Sequence, residues 1–232
     1  MSQTQSDVKS DVRERLVYGR ERSAKLTVHS QGMGAGYRWT QINSASVNTF
    51  FEVEGVTLRS LKELSMINTY YGWKTFIYGK LNSAFDLRAL VGRSFRISRK
   101  PSWGGVEFRW DCSAGASLVM LKPYYYYFFV NSSSLQIVEG RFDDESIEWI
   151  DIYGRCPFNK GLSELKLSPG LIGRLSLSAD FSKTKTRIKT IEVSANVEYF
   201  PLRVPLMYNQ QRDKLYITLG ISYLFGVRYN KY

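Results

Sequence analysis

Histidine occurs once in this 232-residue chain, at His29, and cysteine only twice, at Cys112 and Cys156. A single histidine excludes a His-rich metal site. The two cysteines lie far apart, one in a strand-like stretch and one in a loop-like stretch. They have no metal-ligand spacing and read as free thiols. No metal and no cofactor is expected. No segment approaches the roughly 20 consecutive apolar residues of a spanning helix. A 3.6-residue apolar period of useful length is missing too, which argues against a helical fold. The polar opening "MSQTQSDVKSDVRERL" lacks the apolar core of a signal peptide. A membrane reading therefore expects a signal peptide absent from this numbering.

A net charge of +11 would suit nucleic acid. The cations are scattered, though, without a run of five and without a recognition motif on a helix. Lipid phosphates attract a basic surface equally well, so nucleic acid is not the expected partner.

The dominant signal is alternation. From Val106 to Leu118 the even positions are Val, Phe, Trp, Cys, Ala, Ala and Leu, and the odd ones Glu, Arg, Asp, Ser, Gly and Ser. An unbroken period of two marks a long strand with unlike faces. The same pattern runs through Ile77–Val91, Leu171–Phe181, Ile191–Tyr199 and Leu215–Tyr229. Val47–Thr57 is less regular, and "KPYYYYFFV" (122–130) is aromatic on both faces. In Lys25–Trp39 the phase flips inside "HSQG", which reads as one strand with a β-bulge.

These make eight strands, and the expected fold is all-β: an eight-stranded antiparallel up-and-down barrel over residues 23–232. A polar basic segment (1–22) precedes it and a long loop (131–167) interrupts it. Links near Thr40–Ala45, Arg93–Trp103, Asn131–Leu167 and Pro201–Arg212 should then share one end of the barrel. Ser60–Trp73, Val119–Leu121 and Ser182–Thr186 should share the other, leaving Ser60–Trp73 as an unusually long turn.

Alternation does not say which face is inside. A soluble lipocalin-like barrel is apolar within, and a membrane barrel reverses the sense. Here the polar face carries both signs of charge: Glu52, Glu54, Asp86, Arg88, Glu107, Arg109, Asp111, Arg174, Asp180, Glu192, Glu198 and Arg228. Such a set suits an ion-paired lumen plug in a barrel just wide enough for side chains. The apolar face gathers aromatics towards strand ends, as a membrane girdle does. The expectation is a transmembrane barrel, with the soluble ligand-binding barrel as its rival.

Several stretches carry a resemblance as well. They are "VYGRERSAKLTVHSQGMGAGYR" (17–38), "NTYYGWKTFIYGKLNSAFDLR" (68–88), "GGVEFRW" (104–110), "GASLVMLKPYY" (115–125), "IYGRCPFNKGLSELKLSPG" (152–170) and "FGVRYNKY" (225–232). Together they resemble uncharacterised β-barrel proteins of the Bacteroidetes outer membrane. "SQGMGAG" departs from that family's Trp-containing first strand. The resemblance implies a small barrel in a Gram-negative outer membrane and no particular reaction.

Candidate sites are few. "GMGAGY" (32–37) lacks the third glycine and the following helix of a dinucleotide site. His29 beside Ser30 could act as base and nucleophile of a lipid A deacylase-like enzyme if a bulge brought them to one face. That lipid-modifying enzyme is the catalytic alternative to a non-enzymatic protein. The long loop holds an acidic and apolar cluster, Asp143, Asp144, Glu145, Glu148, Trp149, Asp151 and Tyr153, suited to docking a partner. Tyr223, Phe225, Tyr229 and Tyr232 form an aromatic C-terminal pattern of the kind read by barrel-assembly machinery. The expected role is structural: an accessory subunit of an outer-membrane protein assembly or secretion machine. Its expected partners are membrane lipid, lipopolysaccharide and other outer-membrane proteins.

Overall fold

Strands with one apolar and one polar face must bury one of them, and closing the sheet on itself also removes its edges. The computed structural model describes residues 19–44, 46–69, 74–98, 105–129, 136–142, 147–182, 184, 186–208 and 214–229. In chain order the strands are β1 (Arg20–His29), β2 (Gly32–Ile42), β3 (Val47–Leu58), β4 (Ser65–Ile67), β5 (Thr75–Ile77), β6 (Asn82–Arg96) and β7 (Glu107–Pro123). They continue as β8 (Tyr126–Phe129), β9 (Ile137–Gly140), β10 (Ile152–Arg155), β11 (Lys166–Asp180), β12 (Arg187–Tyr199) and β13 (Leu215–Tyr229). Eight of them close an antiparallel barrel in the order β1-β13-β12-β11-β7-β6-β3-β2. The first and last strands seal it in continuous register from Arg20↔Tyr229 to His29↔Gly220.

Two of the expected strands are wrong, and the errors cancel in the count. The expected bulge in "HSQG" is a chain reversal: Ser30 and Gln31 form a tight turn, and β1 pairs with β2 from His29↔Gly32 to Arg20↔Gln41. A two-residue turn and a one-residue bulge both shift an alternating pattern by one place, so the flip alone does not separate them. "KPYYYYFFV", in turn, is not a wall strand. Its Lys122 and Pro123 end β7, and Tyr126–Phe129 becomes the middle of a separate sheet, β10-β8-β9. A strand aromatic on both faces suits a layer packed on both sides, not a narrow barrel wall that turns one face to a charged lumen.

The correction redistributes the loops. Turns 43–46, 97–106 and 181–186 lie at the end that carries the barrel's first and last residues, Arg20 and Tyr229. The long connections 59–81, 124–165 and 200–214 all lie at the other end, with the 30–31 turn. Ser60–Trp73 is therefore no exception. The expected grouping of Thr40–Ala45 and Arg93–Trp103 with the longest loop does not hold.

The faces are inverted relative to a soluble barrel. Glu52, Glu54, Asp86, Arg88, Glu192 and Glu198 are fully buried in the lumen. Outside, Leu26, Val28, Leu219 and Ile221 are 55%, 66%, 65% and 62% exposed. They belong to a continuous apolar wall that also includes Leu87, Leu171, Leu177 and Val193. Charge within and hydrocarbon without is the arrangement of a bilayer-spanning barrel, where the ladder satisfies every backbone group of the wall. A lipocalin-like pocket would need the opposite and is ruled out. Cys112 sits on this outer wall, Cys156 is buried beyond it, and both are free thiols. The glycines of "GMGAGY" are explained by crowding: a Cβ on Gly34 would lie 2.4 Å from the Gly55 carbonyl oxygen of β3.

Candidate functional site in the lumen and the loop-side cap

Inward residues recur every second position, so each strand delivers its charges to a few levels of the lumen. At the central level Lys25 of β1 donates to Glu52 and Glu192, each at 2.9 Å. Arg38 of β2 donates to Glu52 at 2.5 Å, approaches Glu192 at 2.6 Å and reaches Asp111 at 3.5 Å. Arg174 of β11 pairs with both Glu52 and Glu54, and its Nε donates to Asn196 at 2.5 Å. Nearer the loops, Arg88 bridges Asp86 and Glu198, each at 2.6 Å, and Ser117 donates to Asp86 at 2.5 Å. Nearer the termini, Arg228 bridges Glu21 and Asp180, each at 2.7 Å. Arg109 and Arg96 share Glu107 at 2.8 and 3.1 Å.

All twelve residues singled out on the polar face therefore point inward and take part in ion pairs. Four more complete these sets: Glu21, Lys25, Arg38 and Arg96. Reading β1 and β2 as one bulged strand over 25–39 hid Lys25 and Arg38, because it left the inward phase of that segment undefined, and Glu21 fell in the 1–22 segment placed before the barrel. Charges this deeply buried cost several kcal/mol each to desolvate, and close opposite charges with shared hydrogen bonds offset much of that. In the central and loop-side sets four cations face six carboxylates.

Above the charges the lumen is sealed by carbon. Leu58, Ala84, Val119, Leu121 and Tyr216 of the wall pack with Phe200, Val204 and Leu206 of the 200–214 connection. The plug is tied down by main-chain hydrogen bonds from Leu81 N–H to the Leu206 carbonyl (2.9 Å) and from Tyr208 N–H to that of Gly79 (2.8 Å). Tyr216 Oη donates to the Val204 carbonyl at 3.1 Å. Burying each of the Leu, Val and Phe side chains among them contributes about 1.5–3 kcal/mol.

Beyond the plug, the loops fold into a cap. Phe76, Tyr126, Phe142 and Ile152 form its core, packed by Met66, Tyr78 and Phe128. Asn68 Nδ2 donates to the carbonyls of Ile150 and Ile152 at 3.0 and 2.9 Å, which ties the 59–81 connection to the 124–165 connection. Tyr126 Oη receives the Lys80 N–H at 2.8 Å and donates to the Ile77 carbonyl at 2.6 Å. Burial pushes the Tyr126 and Tyr124 phenols and the Cys156 thiol up, so all three stay neutral near pH 7.

Of the expected partner loop, Glu148, Trp149 and Asp151 are exposed, and Tyr153 is half-buried with Lys74 over its ring at 5.1 Å. Asp143, Asp144 and Glu145 lie outside the described residues, as do Tyr232 and residues 1–18. Phe158, the most exposed aromatic among the described residues of the cap, is 72% accessible, with Lys122 at 4.3 Å from its ring. Among the described residues β9 pairs with β8 alone, and its Ile137 and Val138 are exposed. Tyr223 and Phe225 face outward on β13 and stack at 6.1 Å, and Arg22 lies 4.9 Å over the ring of Tyr229.

His29 and Ser30 do not form a base and nucleophile on one face. His29 is buried and directed inward, with Nδ1 accepting the Gln31 N–H at 3.3 Å, and Ser30 is exposed in the turn.

No protein-family profile and no curated protein sequence matches the chain. Among solved structures it is similar to the neisserial surface protein A, NspA: 6% identity, TM-score 0.41, 91% of this chain against 96% of that one. It is also similar to Ail, the attachment invasion locus protein of Yersinia pestis (10% identity, TM-score 0.39, 90% and 97% covered). A third is the N-terminal β-barrel domain of OprF from Pseudomonas aeruginosa (10%, 0.33, 89% and 96%). Strand closure and face inversion, rather than these distant likenesses, carry the assignment to membrane barrels.

Proposed function

We propose that this chain is a non-enzymatic, non-conducting barrel of a Gram-negative outer membrane that displays a folded protein-docking cap. The observation that carries this reading is the filled lumen. Three sets of ion pairs and an apolar plug leave the interior of an eight-stranded barrel to structure, not transport. Function then falls to surfaces. The cap is a built layer with its own aromatic core, and it leaves Phe158, Trp149, Ile137 and Val138 exposed. Exposed apolar groups on a rigid mount suit a protein contact. In this reading the chain is an accessory subunit of an outer-membrane assembly or secretion machine, with the cap outward and lipopolysaccharide around the upper wall. Tyr223, Phe225, Tyr229 and Tyr232 serve as the signal for its own insertion. The Bacteroidetes origin rests on the sequence stretches alone.

The test pairs two measurements. Protein reconstituted in planar bilayers should show no steady conductance, and a stable open pore would overturn the reading. A photo-cross-linking residue at Phe158 or Val138 should trap a discrete outer-membrane protein in cells, whereas one at Leu219 on the lipid wall should trap none. Equal yields at all three positions would remove the docking role.

A further inference from the structure

Exposed charge on the barrel is distributed unevenly between its two ends. At the loop end cations and carboxylates mix. At the termini end Arg20, Arg22, Arg93, Arg187 and Lys189 all face outward and exposed. The carboxylates of that end, Glu21, Glu107 and Asp180, are buried and bound within the lumen to Arg228, Arg109 and Arg96. No exposed carboxylate occurs on that rim among the described residues, and none there pairs with the five outward cations.

The register arranges part of this surface in two rows. Arg20, Gln41, Thr49 and Arg93 are successive partners across β1, β2, β3 and β6. The next outward row reads Arg22, Trp39, Phe51 and Val91 across the same strands. A polar row with an arginine at each end thus adjoins an apolar shelf, where Trp39 and Phe51 stack at 5.7 Å. A groove of about 330 Å³ opens between them, lined by Arg20, Arg22, Gln41, Thr49, Phe51 and Tyr229 among others. Glu21 also borders it, but its carboxylate is held by Arg228 at 2.7 Å. Arg22 is steadied at the rim by the Tyr229 ring, 4.9 Å away.

We propose that this groove binds the headgroup of an anionic phospholipid from the leaflet on the termini side. The phosphodiester would lie against Arg20 and Arg22, which line the groove, with Arg93 adding charge at the far end of the same row; Gln41 and Thr49 would hydrogen-bond its oxygens, and an acyl chain would run over Trp39, Phe51 and Val91. Guanidinium forks suit phosphate oxygens. Cations without local counter-charge at a headgroup level draw anionic lipid. The shelf supplies the apolar continuation that a free phosphate could not use. The inference rests on the bilayer-spanning fold.

The test uses the full chain folded in zwitterionic micelles and reads retained lipid by native mass spectrometry. Wild-type protein should keep phosphatidylglycerol in preference to phosphatidylcholine. The Arg20→Gln, Arg22→Gln, Arg93→Gln variant should lose that preference by at least about tenfold. The loop-end variant Arg59→Gln, Lys62→Gln, Arg203→Gln should keep it. Unchanged retention by the first variant, equal loss by the second, or stronger retention of lipid A than of phosphatidylglycerol would each overturn the proposal. Each sample is also run unboiled and boiled on a gel. A variant that keeps its heat-dependent shift yet loses lipid isolates the site. A wild type that is soluble without detergent and shows no shift overturns the membrane barrel itself, and the lipid site with it.

Discussion

Lys25 of β1 donates to Glu52 of β3 at 2.9 Å with both side chains excluded from solvent, although β2 separates their strands around the wall. The contact reaches past one strand because inward side chains converge in a narrow barrel. Lys25→Ala should leave Glu52 with Arg38 and Arg174, but Glu192 with Arg38 alone. Breaking one partner of a buried ion pair costs about 3–5 kcal/mol. The double variant Lys25→Ala, Glu192→Ala should cost less than the sum of its single changes, since each removes the other's orphan. Urea unfolding in vesicles, followed by the heat-dependent gel shift, measures both.

The plug and the ion pairs block the lumen in series. Phe200→Ala with Leu206→Ala should destabilise the loop-side seal by several kcal/mol, about 2–5 for each truncation. The barrel should still conduct nothing, because the charge sets around Glu52 and Arg228 remain. Bilayer recordings of the variant decide this, and steady conductance would place the whole barrier in the plug.

Tyr126 ties the 124–165 connection to the 59–81 connection through the Lys80 N–H and the Ile77 carbonyl. Tyr126→Phe should leave that N–H only its longer bond to the Ile77 carbonyl at 3.4 Å, cost about 1 kcal/mol, and make residues 124–165 sensitive to protease while the barrel keeps its gel shift. The pH dependence follows from the raised phenol. The native state favours the neutral form more than the unfolded state does, so its contribution is complete below about pH 10 and declines as the pH rises further. Wild-type cap cleavage should increase above that pH, and Tyr126→Phe should flatten much of the increase.

Orientation is tested with cysteines. Phe158→Cys on the cap should react with a charged maleimide in intact cells, and Ser44→Cys in the 43–46 turn only after permeabilisation. Native Cys112, on the hydrocarbon-facing wall, should resist the reagent in vesicles and react after denaturation. The reverse labelling order would invert the barrel and move the cap to the periplasmic side.

Legibility in the sequence followed the alternation. Where the alternation was strict, as in 106–118 or 171–181, the strand was readable, and so was the face that Asp111 shares with Glu107 and Arg174 with Asp180; which face turns inward was not. Where the pattern broke, at His29–Gly32 and at Tyr124–Phe129, it could not distinguish a turn from a bulge, or a wall strand from a cap strand. Asn68, Phe200 and Leu206 gave no signal, because their roles arise from segments far apart in the chain meeting over the barrel mouth.

The sequence by itself determined an all-β chain with two unlike faces, since a period of two needs only local backbone geometry. Among the described residues no helix is long and apolar enough to cross a membrane. Tertiary structure decided which eight segments close the wall and which face looks inward. It also decided how the buried charges are shared and that Arg20 and Arg93, far apart in the chain, stand at the two ends of one outward row. Those properties depend on register between distant strands, and one residue of slip would turn every side chain to the opposite face.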